Sequence, residues 1–132
     1  MKSGASVTEN GDNWTNWTAY KGTGKFILWR PQFYKGRHYC AAYAESIPPA
    51  TIVHWFESQD GQRWTNVREI HSTGNPSECH LDIRDDGKAS MLMRCDAGAF
   101  LPYLCTSEYP FKKWNKQQLS DITLVGPAIW TV

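Results

Sequence analysis

A nine-residue pattern occurs twice in this chain, and it limits the fold more than any other feature. Thr8-Glu9-Asn10-Gly11-Asp12-Asn13-Trp14-Thr15-Asn16 lies over Ser58-Gln59-Asp60-Gly61-Gln62-Arg63-Trp64-Thr65-Asn66 at an offset of 50. A hydroxyl residue, Asn or Asp, Gly, Trp, Thr and Asn fall in matching places. A second step of 50 reaches Trp114, within Thr106–Asn115, where the Asp-Gly pair is missing. Each residue type has local work to do. Hydroxyl and Asp or Asn side chains bond backbone N–H groups inside a tight turn. Glycine admits a conformation closed to other residues. Trp starts the next strand and anchors the hairpin in a core. The pattern therefore reads as a repeated hairpin corner, structural rather than catalytic. It is well formed at Ser58, Asp60, Gly61 and Trp64, altered at Asn10, Gly11 and Trp14, and degenerate at Trp114. A period of this length points to repeated supersecondary units.

The rest of the chain reads as strands. Residues 110–119 come nearest to a helical period, and they are short. Apolar and β-branched runs predict strands at 25–33, 37–44, 51–58, 63–70, 78–83, 88–95, 101–107 and 122–132. Gly-containing turns at 34–36 and 84–87 separate two of the pairs. These strands are apolar on both faces. In residues 51–56, Thr51, Val53 and Trp55 share one side while Ile52, His54 and Phe56 share the other; Leu92 opposes Met91, Met93 and Cys95. Such strands belong to sheets covered on both sides.

The corner Ser-x-Asp-Gly-x-x-Trp-Thr resembles the Asp-box, or BNR repeat, of sialidase-like β-propellers. Residues 28–43 resemble the first two strands of such a blade, with Arg30-Pro31 near the family's Arg-x-Pro element, and 75–96 resemble the next. The resemblance covers roughly residues 8–131. It implies an all-β fold, a partial β-propeller of four-stranded antiparallel blades in a single domain, 1–132. The units would be part of a blade at 1–20, with a fourth strand near 14–20, blades at 25–70 and 77–119, and the first strand of a further blade at 122–132. The alternative is a β-sandwich or barrel in which the spacing is coincidental. Closed propellers have about four to eight blades, and an open fragment exposes edges and apolar faces. Self-association is therefore expected, most simply as a dimer.

In propellers the first strand of each blade lines the central channel, so the resemblance points to ligand-binding candidates there. They are Arg30 and Gln32 on one strand, Glu78, His80 and Asp82 on the next, and Arg94, Asp96 and Glu45 at the ends of second strands. An Arg beside a Glu binds a carboxylate or sugar hydroxyls through charge-assisted hydrogen bonds; the same residues also make ordinary ion pairs within the fold. The family's catalysis uses three Arg residues, a Tyr–Glu pair and an Asp. This chain matches at most Arg30, Arg94 and Glu78, so no catalytic set is assigned and a single-chain glycosidase is not expected. Two functions follow as expectations. One is a carbohydrate-binding or glycosidase-related segment, with a sugar or carboxylate site assembled between chains. The other is a non-catalytic oligomeric scaffold that kept the fold.

Composition removes other classes. The net charge of +1 and the pI of about 7.7 call for neither nucleic acid nor an anionic membrane as partner. No apolar run approaches the ~18–20 residues that span a bilayer. The first residues carry no signal-peptide pattern, so a cytoplasmic location is expected and the Asn-x-Thr triplets at Asn13 and Asn16 read as incidental. Cys40, Cys79, Cys95 and Cys105 show no C-x-x-C spacing and read as reduced thiols serving as small hydrophobes. The four histidines lack metal-ligand spacing, so no metal and no cofactor are expected.

Overall fold

The computed structural model describes residues 3–45 and 50–130, with the Glu45 side chain outside the described set. Two short strands, β1 (Gly4–Ala5) and β2 (Thr18–Ala19), form an antiparallel hairpin. β3 (Ile27–Tyr34), β4 (Arg37–Glu45), β5 (Thr51–Ser58) and β6 (Trp64–His71) follow as a four-stranded antiparallel meander. β7 (Pro76–Ile83), β8 (Lys88–Cys95), β9 (Tyr103–Glu108) and β10 (Asn115–Gln118) form a second meander of the same kind. No helix occurs among the described residues. Lys35 and Gly36, with φ of 45° and 76°, close the β3–β4 turn. Two positive φ values in succession match the twist of the flanking strands.

The two meanders pack face to face. Tyr39, Ala41, Val53 and Trp55 of the first sheet meet Leu81, Met91 and Met93 of the second, all essentially sealed from water. Such large apolar side chains contribute about 1.5–3 kcal/mol each when fully buried. The opposite face of the first sheet buries Leu28, Cys40, Ala42, Phe56 and Trp64 beneath Tyr20 and Phe26. β4 and β5 are thus covered on both sides, as their two-faced apolar pattern requires. The hairpin end of the chain joins this second face. The Leu28 N–H donates to Ser3 Oγ at 3.0 Å, and Trp64 N–H donates to Lys21 O at 2.8 Å.

Four expectations are corrected. The strand at 122–132 does not form through residue 130, and 131–132 lie outside the described residues. That segment is held instead by single bonds: Arg94 Nη1 to Val125 O at 2.7 Å and Ile129 N–H to His80 Nδ1 at 3.0 Å. The strand near 14–20 shrinks to Thr18–Ala19, and its partner β1 is an element too short to carry a period. The sheets remain open at β3, β6, β7 and β10, which rules out a closed barrel. Finally, a bulge between Trp29 and Gln32, with Arg30 at φ 53°, removes the simple parity that put Arg30 and Gln32 on one face. Arg30 is exposed and Gln32 half-buried.

Candidate functional site

Asp60 Oδ1 accepts from the Gln62 and Arg63 N–H groups at 2.9 and 2.7 Å, and Ser58 Oγ donates to it at 3.1 Å. Gly61, at φ 70°, donates its N–H to Ser58 Oγ at 2.9 Å, and Trp64 Nε1 donates to Gly61 O at 3.1 Å. These hydrogen bonds hold the Asp60 carboxyl down to a pKa of about 2. Fifty residues earlier the turn is the same. Asn10 Oδ1 accepts from Asp12 and Asn13 N–H at 3.0 and 3.2 Å, Gly11 (φ 83°) donates to Thr8 Oγ1 at 2.9 Å, and Trp14 Nε1 donates to Gly11 O at 3.1 Å. The carboxamide oxygen of Asn10 replaces the carboxylate without changing the turn.

The third corner, degenerate in sequence, keeps the backbone. Phe111 stands in the glycine place at φ 60° and donates its N–H to Glu108 O at 2.7 Å, a carbonyl in place of the hydroxyl. Its ring supplies what glycine cannot. It packs edge-on against Tyr39 at 5.0 Å and Trp55 at 5.8 Å, while Trp114 lies 5.1 Å from Trp55. Trp114 Nε1 is buried with no acceptor, unlike the Nε1 groups of Trp14 and Trp64.

Each corner Trp leans on the preceding unit where one is described. Trp114 of the second sheet packs on Trp55 of the first, and Trp64 packs 5.9 Å from Tyr20, just after the hairpin. Trp64 is 3% exposed. Trp14, in the same local geometry, is 62% exposed, and the expected anchoring of Trp14 in a core does not occur among the described residues. Trp17 lies against Gly4 yet stays more than half exposed.

The channel candidates form two clusters. Arg94 Nε bonds Asp96 Oδ1 at 2.5 Å, Arg94 Nη1 lies 3.5 Å from Glu78 Oε2, and Ser77 Oγ donates to Asp96 Oδ2 at 2.8 Å. With Val125 O also accepting from Arg94, the guanidinium is committed to protein groups, and the Asp96 hydrogen bond raises its pKa further. The second cluster joins residues one period apart. Arg30 Nη1 lies 3.3 Å from His80 Nδ1, and the His80 ring lies 6.4 Å from that of Trp130. Nδ1 accepts from both Arg30 and the Ile129 N–H, so neutral His80 carries its proton on Nε2. Burial and the Arg30 charge lower its pKa. Glu45 ends β4 opposite Thr51. Gln32 joins neither cluster. Trp130 was not singled out in the sequence, although its spacing of 50 from His80 was available as a clue.

A third feature escaped sequence reading altogether. An open groove of about 560 Å³ lies over the lower end of the second sheet. Arg84, Lys88, Lys112 and Lys113 line it, with Ser90 of β8 and Thr106 of β9 part of its floor; Glu108 is the acid among the lining residues. Asp86 bridges Arg84 and Lys88 at 3.5 and 3.6 Å, whereas no ion pair among the described residues involves Lys112 or Lys113. Lys112-Lys113 is a small basic patch in sequence, and only the fold brings the 84–88 turn to it. The four thiols are free and buried; burial pushes Cys40 and Cys105 up to about 12 and Cys95 to about 11.

No family model matches this chain, and no curated protein or solved structure matches it either.

Proposed function

We propose that this chain is a non-catalytic interaction protein built from sialidase-like, Asp-box propeller units and completed by self-association. The observation that carries the reading is the Trp14 corner. It repeats the Trp64 corner bond for bond, yet its Trp is 62% exposed where the other is 3% exposed. A large aromatic held rigidly and left open fits a surface made to be covered. The convergence of Arg30, His80 and Trp130, each one period from the next, supports units arranged about a common axis, where equivalent positions draw together. The commitment of Arg94 Nε and Nη1 to Asp96, Glu78 and Val125 O argues against catalysis, because a substrate carboxylate could make the two-pronged guanidinium contact only by displacing part of this set. Multi-angle light scattering combined with a thermal-shift screen tests this reading. A stable dimer that no sugar stabilises is expected; a monomer at about 100 μM, a concentration that populates even weak dimers, refutes it.

A second reading, binding of an acidic sugar, has its own observation. Arg30 is exposed in a backbone region unusual for a non-glycine residue, and the exposed Trp130 ring stands beside His80. Strained residues cluster at ligand sites, and a guanidinium next to an aromatic face suits a sugar carboxylate and its ring. A thermal shift with sialic acid that disappears in Arg30→Ala would favour this reading over the first.

A further inference from the structure

Inside the chain, corner turns dock in one fixed way. The turn of the second sheet sets Phe111 on Tyr39 and Trp55, on the central strands β4 and β5 of the first sheet. The counterpart of Tyr39 on the second sheet is Ser90. Each is the third residue of its β-strand and the third after the turn glycine (Gly36 and Gly87), and each pairs across to the next strand, Tyr39 with Glu57 and Ser90 with Thr106. Where Phe111 covers Tyr39, Ser90 and Thr106 stand open on the floor of the basic groove. One docking position on the second sheet is thus unfilled among the described residues, and it is polar and cationic rather than aromatic.

One corner turn is also unused, the Thr8–Trp14 turn. Residues 9–14 of it are all exposed, the acids Glu9 and Asp12 and the Trp14 ring among them, and no ion pair among the described residues involves either acid. The turn is held by Thr8 and Asn10 side chains and the Asp12 N–H, so the carboxylates of Glu9 and Asp12 take no part in the hydrogen bonds that shape it. An acidic turn with an open Trp and a basic groove of the same chain are complementary in charge. The stems of Lys112 and Lys113 and the Pro110 ring offer apolar surface to the indole, and the ammonium groups suit its face.

From this match we infer that the Thr8–Trp14 turn of one copy docks in the Arg84/Lys88/Lys112/Lys113 groove of a second copy. The contact is head-to-tail, the same relation that joins the sheets within the chain. It rests on the self-association proposed above and names the two surfaces. Head-to-tail contacts close into rings or run on as filaments according to their rotation.

Sedimentation equilibrium over a range of salt concentrations tests the inference. Glu9→Lys/Asp12→Lys and, separately, Lys112→Glu/Lys113→Glu are expected to weaken association by about tenfold or more, and the four changes together to restore it. Circular dichroism checks that each variant is folded, and Trp14→Ser, at an exposed position, provides a charge-neutral variant expected to weaken association as well. If the wild type associates and neither charge reversal weakens it, the inference is overturned while self-association stands. A monomeric wild type removes both. If only the groove variant shows a change, and that change is lost calorimetric binding of inorganic sulfate with the mass unaltered, the groove belongs to a small anion and the docking is refuted.

Discussion

Replacing each of the two matched Trp residues by Ala separates burial from local turn chemistry. Trp64 and Trp14 make the same Nε1–H bond to a glycine carbonyl at 3.1 Å, so that loss cancels in the comparison. What differs is exposure, 3% against 62%. A Trp offers up to about 250 Å², so about 240 Å² is buried at Trp64 and about 95 Å² at Trp14. At about 25 cal/mol per Å², this corresponds to about 6 and about 2.4 kcal/mol, both upper bounds because unfolded chains already bury some surface. Measured Trp→Ala costs in cores run at about 3–5 kcal/mol. We therefore expect Trp64→Ala to cost about 4 kcal/mol and Trp14→Ala about 1–2 kcal/mol when the chain is dilute. The first figure is a large share of the ~5–15 kcal/mol that stabilises a domain. Urea titration at sub-micromolar protein measures both. Under the proposed docking, the gap narrows at concentrations that populate the assembly, because the second copy would cover Trp14. Equal costs in dilute solution would refute the argument, since they would mean that Trp14 is buried within the single chain.

Two further outcomes follow from the corners. The Asp60 carboxyl, held at about 2 against an ordinary 3.8, contributes stability that is present above about pH 4 and lost as pH falls toward 2; Asp60→Asn, which recreates the chemistry of Asn10, should flatten that acid limb in urea midpoints measured between about pH 2 and 5. Gly22 has φ 81°, and a Cβ there would sit 2.0 Å from the Trp64 carbonyl oxygen, so Gly22→Ala should lower stability by more than about 1 kcal/mol in the same titration.

The predictability of this chain follows the range of the interactions involved. The corner at 58–64 was legible because every bond in it spans two or three residues. The strands at 51–58 and 88–95 were legible because β-branched and apolar runs between turn residues leave few other options. The two-faced pattern of Val53 and Trp55 against Phe56 correctly implied cover on both sides. The third corner was legible only in part. Its Trp marked the position, but that Phe111 would hold a left-handed backbone depends on Tyr39 and Trp55, more than 50 residues away in sequence.

The sequence by itself therefore determined the repeat, its hairpin corners, the all-β class and the approximate extents of both four-stranded sheets, because local hydrogen bonds and side-chain alternation decide these. Tertiary structure alone decided which groups are occupied and which are left open. Arg94 is consumed by Glu78, Asp96 and a carbonyl 31 residues away. The residues expected as a last strand hold on through single bonds instead of a ladder. Two short charged segments, 84–88 and 112–113, become one basic groove. Two corners with nearly the same residues differ only in what lies above them, and burial of that kind depends on the path of the whole chain.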